Sequence, residues 1–300
     1  MCAAPYTSTD NVIATNTTKE DILDLITNIT PKDRPITAGL KTKRTAYATK
    51  HEWVVDVLAA RGSLATVEGA DAAYGDEVAP TRAYNYIEQI ERPISISDVM
   101  LSTKNVGMSS QAAYTMAKAS AEWANGLEYD VIQGTRTAYV EATTAAVMGG
   151  VEEYVASNVT AAGTVPLDEA LFNNLASDVF DDGGHPTEVF CKGNLKRQIS
   201  SWSVNTRNIQ AEDKRLARSV DVYIGDFETV KVMISRDVTS GSLLLLDPKL
   251  WGIAYLINPH KEARAKTGSA ENSVIIGNCC LESLNEVGNG ELTGISTTGV

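Results

Sequence analysis

Tyr47-Ala48-Thr49-Lys50-His51-Glu52-Trp53-Val54-Val55-Asp56-Val57 and, further on, Tyr84-Asn85-Tyr86-Ile87-Glu88-Gln89-Ile90 are the two runs whose reading decides the fold. In the first, Tyr47, His51, Trp53, Val55 and Val57 alternate with Lys50, Glu52 and Asp56, the period of a strand. The second alternates likewise and leads into Ile94 and Ile96. Between them lie small and acidic residues: Gly62, Ser63, Gly69, Ala70, Asp71, Gly75, Asp76 and Glu77. They carry no helical stripe and no apolar core of their own. The pattern predicts one long two-stranded hairpin with an extended tip. Such a hairpin alone is marginal in water. Trp53, Tyr84 and Tyr86 are also poor residues for a free loop. The hairpin therefore needs a surface, either the body of its own chain or a neighbouring subunit.

On the N-terminal side, residues 1 to 44 read as an arm. Glu20 to Ile29 places Ile22, Leu25, Ile26 and Ile29 at helical spacing, with Thr17 or Thr18 as cap. Pro31 and Pro35 forbid its continuation. So short a helix is unstable alone and must dock on something. On the C-terminal side, Ser109 to Gly134 reads as one helix about 39 Å long. Ala113, Met116, Ala117, Ser120, Trp123, Ala124, Leu127 and Val131 form its core stripe.

Residues 135 to 165, rich in Ala, Thr and Gly, read as a connector. A mixed α+β unit follows. It holds a helix over Leu167 to Phe180, a strand over Thr187 to Cys191 and a helix over Leu195 to Trp202. A hairpin over Val220 to Ile234 turns at Gly225-Asp226. Strands over Leu243 to Leu246 and Leu250 to Leu256 complete it, and Ser273 to Leu284 is a last strand-like run after it.

The 300 residues suffice for two domains. Hydrophobic residues make up 43% and charged residues 21%, a globular composition. Lys plus Arg number 26 against 38 Asp plus Glu, a net charge of −12. That balance argues against a broad basic face for nucleic acid and against an anionic-membrane binder. The basic cluster of Lys192, Lys196, Arg197, Arg207, Lys214, Arg215 and Arg218 has only Trp202 near it, so a solvated or subunit-contact face is expected. No basic region precedes an apolar core at the N-terminus, and no apolar run is long enough to span a bilayer.

Residues for metal or nucleophile chemistry are few. His51, His185 and His260 have no second ligand at metal spacing. Cys2, Cys191, Cys279 and Cys280 form no CxxC pair, and the adjacent Cys279 and Cys280 point to opposite faces of a strand. Buried, reduced thiols suit a cytoplasmic compartment. HExxH, GxSxG and GxxxxGK[ST] are absent. No catalytic residue, cofactor or metal site is expected. Scattered carboxylates leave an acidic soluble enzyme as the rival from another class.

The order of parts resembles the major capsid protein of tailed bacteriophages, with the Hong Kong 97-type fold. Asp21-Ile22-Leu23-Asp24-Leu25-Ile26 and Thr30-Pro31-Lys32-Asp33-Arg34-Pro35 are similar to the arm of one such major-head-protein family. His51-Glu52-Trp53 resembles the outgoing strand of its extended loop. Val220-Asp221-Val222-Tyr223 with Asp226 to Val232, then Leu245-Leu246-Asp247-Pro248 and Trp251, resemble its outer-domain strands. Lys266 to Glu271, with Leu281-Glu282 and Asn285-Glu286, resembles its C-terminal return.

The resemblance implies an α+β shell subunit. Its parts would be an arm (1–44), an extended β-hairpin loop (45–97), a peripheral domain with a spine helix (98–160), an axial domain (161–261) and a return to the peripheral domain (262–300). It implies self-assembly as hexamers and pentamers into the icosahedral head around double-stranded DNA, without sequence-specific binding. Trp53, Val55, Tyr84, Tyr86 and Ile87 of the loop, with Ile22, Leu25 and Ile26 of the arm, would touch neighbouring subunits. Portal and decoration proteins are implied partners. With no scaffolding region ahead of the arm, a separate scaffolding protein is expected. The expected location is the virion, after assembly in the host cytoplasm. Residues 62 to 80 contain no Lys, so covalent cross-linking through the loop tip is not expected. The rival within the fold is the shell of an encapsulin-type cellular nanocompartment.

Overall fold

The computed structural model describes residues 33–40, 42–58, 62–71, 75, 79–104, 110–202 and 221–297. Helix α1 (Pro35–Gly39) and strand β1 (Thr42–Thr45) come first. The hairpin strands are β2 (Lys50–Val55) and β3 (Thr81–Tyr86), and β4 (Glu88–Ser97) follows at once. Helices α2 (Asp98–Ser102), α3 (Gln111–Gln133) and α4 (Val151–Tyr154) precede the short strand β5 (Val159–Ala161). Then come α5 (Glu169–Asp181), β6 (Glu188–Cys191), α6 (Gly193–Trp202), β7 (Val222–Ile224), β8 (Thr229–Ile234) and β9 (Leu243–Leu246). The chain ends with β10 (Trp251–Ala263), β11 (Ala270–Ser283) and β12 (Gly290–Thr293).

Local chemistry explains the helix ends. The Ser110 hydroxyl accepts from the Ala113 amide and caps α3, while Gly134 closes it. The Asp168 carboxylate accepts from the Glu169 amide at 2.8 Å at the start of α5. Pro35 does more than forbid a preceding helix: it sits in the first turn of α1, where its fixed φ and missing N–H cost nothing. The helix expected over Glu20 to Ile29 lies outside the described residues.

Two sheets carry the fold. The first has the order β1-β10-β11-β4, with β1 parallel to β10 and the other pairs antiparallel. Helix α3 lies on it, and the Trp123 indole N–H donates to the Ile90 carbonyl of β4 at 2.9 Å. The second has the order β5-β12-β9-β6-β8-β7. This topology redraws the boundaries read from the sequence. β4 lies within 45–97, yet it pairs along its length with β11; among the described residues, β2 and β3 alone form the separate ribbon. β10 pairs Trp251 with Ser283 and belongs to the first sheet, although most of it falls within residues 161–261. β12 falls within 262–300 but pairs with β9 and β5 in the second sheet. The chain therefore crosses between sheets near Asp247 and again before Gly290.

β9 is the wall between two cores. All four of its leucines are buried. Leu244 and Leu246 enter the core of the first sheet and α3, with Trp123, Leu127, Val131 and Trp251. Leu243 and Leu245 enter the second core, with Phe172, Leu175, Val179 and Leu195 of α5 and α6. A strand covered on both faces shows an unbroken apolar run, which is what the sequence holds there. Asn289 seals the crossing: its Oδ1 accepts from the Asp247 amide and the Trp251 indole N–H, each at 2.9 Å.

Candidate functional site: the hairpin, its root and its tip

β2 and β3 pair with His51 opposite Asn85, Trp53 opposite Ala83 and Glu52 opposite Tyr84. Opposed residues share a face, so the ribbon has a Trp53 face and a Tyr84 face. Trp53 is buried against Tyr154 of α4, with ring centroids 6.0 Å apart. On the other face, the Lys50 ammonium stands 4.0 Å from the centre of the Tyr84 ring, and the Arg136 guanidinium 4.5 Å. The Tyr84 carbonyl accepts from the Tyr154 hydroxyl at 2.6 Å and from Arg136 at 3.1 Å.

Asn85 is the anchor of this root. It has no exposed surface. Its amide nitrogen donates to the carbonyls of Gly149 (3.1 Å) and Leu281 (2.8 Å). Its amide oxygen accepts from the backbone N–H of Gly149 (2.8 Å) and Tyr86 (2.9 Å). Every hydrogen-bonding position of the side chain is used. The connector packs against the end of α3 at Gly150, where a Cβ would stand 2.5 Å from the Ile132 carbonyl oxygen.

Beyond the root the ribbon changes character. Every described residue from Asp56 to Thr81 is exposed. Val57 and Val67 are among them, and Leu58 and Leu64 are 93% and 95% exposed. Residues 62–80 hold Glu68, Asp71, Asp76 and Glu77 and no Lys or Arg.

The arm is tied down separately. Glu128 of α3 is fully buried and accepts from the amides of Ile36 (2.9 Å) and Thr37 (2.8 Å), and from the Thr37 hydroxyl. The rival enzymatic reading asks for perturbed carboxylates in a deep pocket. Burial, with the charge of Asp130, pushes Glu88 up to about 7. Burial also raises Asp130. An open cavity of about 600 Å³ is lined by α5, α6 and residues Val165 to Leu167, away from Glu88 and Asp130. Among the described residues no group of three His, Cys, Asp or Glu is placed to hold a metal ion. No helix among them is long and apolar enough to cross a membrane. Cys191, Cys279 and Cys280 are buried thiols, and burial pushes Cys191 and Cys280 up to about 12.

The residues expected at subunit contacts are placed unevenly. Trp53 meets its own chain, so its burial needs no neighbour. Ile87 is buried in the first core, at the corner where its amide donates to the Thr49 carbonyl. Val55, Tyr84 and Tyr86 are half-buried. Ile22, Leu25 and Ile26 lie outside the described residues. Asn85 was missed because a polar residue in an alternating run reads as the solvent side. Leu58 was missed because it follows Val57 out of phase with the alternating run, and Leu64 and Val67 because they sit singly among small and polar residues.

The family model described as SU10 major capsid protein matches residues 6–296. No curated protein matches the chain by sequence. Among solved structures, it is similar to the capsid asymmetric unit of cyanophage A-1(L), with a TM-score of 0.71 at 10% identity, over 96% of this chain and 99% of that one. It is similar to the protein of Mycobacterium phage Bobi, with a TM-score of 0.65 at 11% identity, over 99% and 100% of the two chains. The holo-SrpI encapsulin complex of Synechococcus elongatus gives a TM-score of 0.56 at 13% identity, over 97% of each chain. These likenesses show the Hong Kong 97-type fold.

Proposed function

The chain belongs to the SU10 major capsid protein family, and on that premise we propose that it assembles through the hairpin tip into the icosahedral head of a tailed bacteriophage. Hexamers and pentamers form by rotational, heterologous contacts. The first-sheet unit with α3 acts as the peripheral body, and the second-sheet unit as the axial body that meets its copies around the ring centres. The head encloses double-stranded DNA. An acidic subunit does not bind phosphates tightly, so the genome enters and leaves unhindered. Scaffolding, portal and decoration proteins complete the assembly, in the host cytoplasm.

The observation that supports this reading most is the exposed tip. Leu58 and Leu64 are almost fully exposed at the end of a ribbon whose root is clamped. Apolar residues held out in this way need a partner surface. The contact is therefore made by Val57, Leu58, Leu64 and Val67, with Val55, Tyr84 and Tyr86 at its margin. Sedimentation and electron microscopy of the full chain, with scaffold where needed, test it. Particles are expected from the native chain and none from a Leu58→Asp/Leu64→Asp double variant that stays folded. Particles from that variant would remove the tip from the contact. The encapsulin-type shell is the second reading, because such a shell shares the fold. Terminase and portal genes beside this gene would favour a phage, and an oxidative-stress enzyme a compartment.

A further inference from the structure

Glu282 of β11 lies under the hairpin root with its side chain 1% exposed. Arg44 of β1 donates to its Oε1 at 2.8 Å. Nε2 of His51 on β2 stands 3.9 Å from the same oxygen, which is too far for a hydrogen bond. Oε2 of Glu282, Nε2 of His51 and Nε1 of Trp53 make no hydrogen bond among the described residues, although all three atoms are buried. One carboxylate thus holds one cation and stands just short of a second group. Buried polar atoms left in this state are costly, so a small movement that joins them is favoured.

We propose that the hairpin root is a proton-operated latch, in which protonation of His51 closes its ring onto Glu282 and fixes the tilt of the hairpin on the body of its own chain. His is the side chain that ordinarily changes charge between about pH 5 and 8. The His51 side chain is 18% exposed, so protons reach it. Once protonated, both ring nitrogens are donors, and a bond to a carboxylate is about twice as strong as a neutral one.

The charges around it allow this. Arg44 opposes the added charge, but it uses only Oε1, and Oε2 is free to accept. Lys50 and Glu52 are on the other face and pair with each other at 2.6 Å. The Cys280 thiol beside Glu282 is held neutral by burial, which pushes it up to about 12. Burial likewise raises Tyr154, the neighbour of Trp53. Asn85, opposite His51, and Trp53, whose ring is 5.8 Å away, carry no charge. The sign follows: the latch closes as pH falls and releases as pH rises. Its three strands come from the arm, the hairpin and the return, so closure ties all three together.

That the latch governs assembly rests on the function proposed above; the latch itself does not. Hydrogen exchange of the full-length subunit, read by mass spectrometry on peptides spanning 81–90, tests it. Exchange is measured in a Glu88→Gln background, because Glu88 in the same span also changes its proton occupancy between these pH values, and is referenced to the unfolded chain at each pH. Protection about tenfold greater near pH 5.5 than near pH 8 is expected, the size of one charge-assisted hydrogen bond. The difference should vanish in His51→Asn and in Glu282→Gln, with α5 peptides unchanged as reference. Glu282→Gln keeps the shape and an acceptor for Arg44, so it carries the test if His51→Asn does not fold. Equal protection at both pH values with His51 and Glu282 in place, or a difference that survives in the two variants made in the same background, overturns the latch. Failure of the shell reading shows separately, as an absence of particles at either pH.

Discussion

At its root the hairpin buries Asn85 completely and gives it four hydrogen bonds. At its tip, in the same ribbon, Leu58 and Leu64 have almost no contact with the chain. The root holds polar groups inside and the tip holds apolar groups outside. Each inversion is costly if the subunit is considered alone. The root inversion is offset within the chain, because every polar position of Asn85 finds a partner. The tip inversion is not, so its compensation lies in another molecule. A polar residue inside and an apolar residue outside thus separate what serves folding from what serves association.

This contrast is open to attack from both ends. The largest effect on the subunit is expected from Asn85→Ala, which strands the Gly149 and Leu281 backbone groups. Denaturant unfolding of the subunit should show a loss of about 3–5 kcal/mol. A loss below about 1 kcal/mol would mean that water replaces the side chain and that the root is not the anchor. Trp53→Ala comes next, at about 3 kcal/mol in the subunit itself, from the cavity left against Tyr154. If instead only assembled particles were weakened, Trp53 would be a contact between subunits after all.

Glu88→Gln sharpens the root in a pH-dependent way. The folded chain holds the Glu88 proton up to about 7, against an ordinary value of 4.5. Between those values the folded state binds more protons than the unfolded state, so stability falls as pH rises and stays lower above the window. The variant should match the native chain near pH 4.5 and exceed it at pH 8. Thermal unfolding at the two pH values measures this, and equal gains at both would dissociate the effect from the proton. The smallest effect is expected from deleting residues 62–80, within about 1 kcal/mol for the subunit. The same deletion should abolish particles. A sharp fall in subunit stability would place the tip on its own body.

The sequence made the ribbon legible because its strands keep a period of two, and α3 legible because its stripe keeps a period of 3.6. The turn at Gly225-Asp226 is an equally local signal. What pairs with what was less legible. β10 and β12 belong to sheets that their place in the chain does not suggest, because pairing partners far apart in sequence leave no local mark. The candidate site was legible in outline only. Trp53 reads as needing a surface, but alternation does not say whose surface. Ile87 continues the apolar pattern of the expected contact residues, though it turns into the core where β3 gives way to β4.

Leu243 to Leu246 set a problem of register. A strand of unlike residues resists slipping by one position, because a slip exchanges its two faces. Here both faces carry leucine, and a slipped strand would fill the same two cores with the same side chains. Correct alignment must then come from what brackets the run. On one side stands Gly241, with φ of +85°, where a Cβ would come 2.8 Å from the Ile295 carbonyl oxygen. On the other, the Asp247 amide is held by Asn289. These two stops, and not the leucines, make a misaligned fold unprofitable, so Gly241→Ala should yield slow or heterogeneous refolding even where the cores remain full.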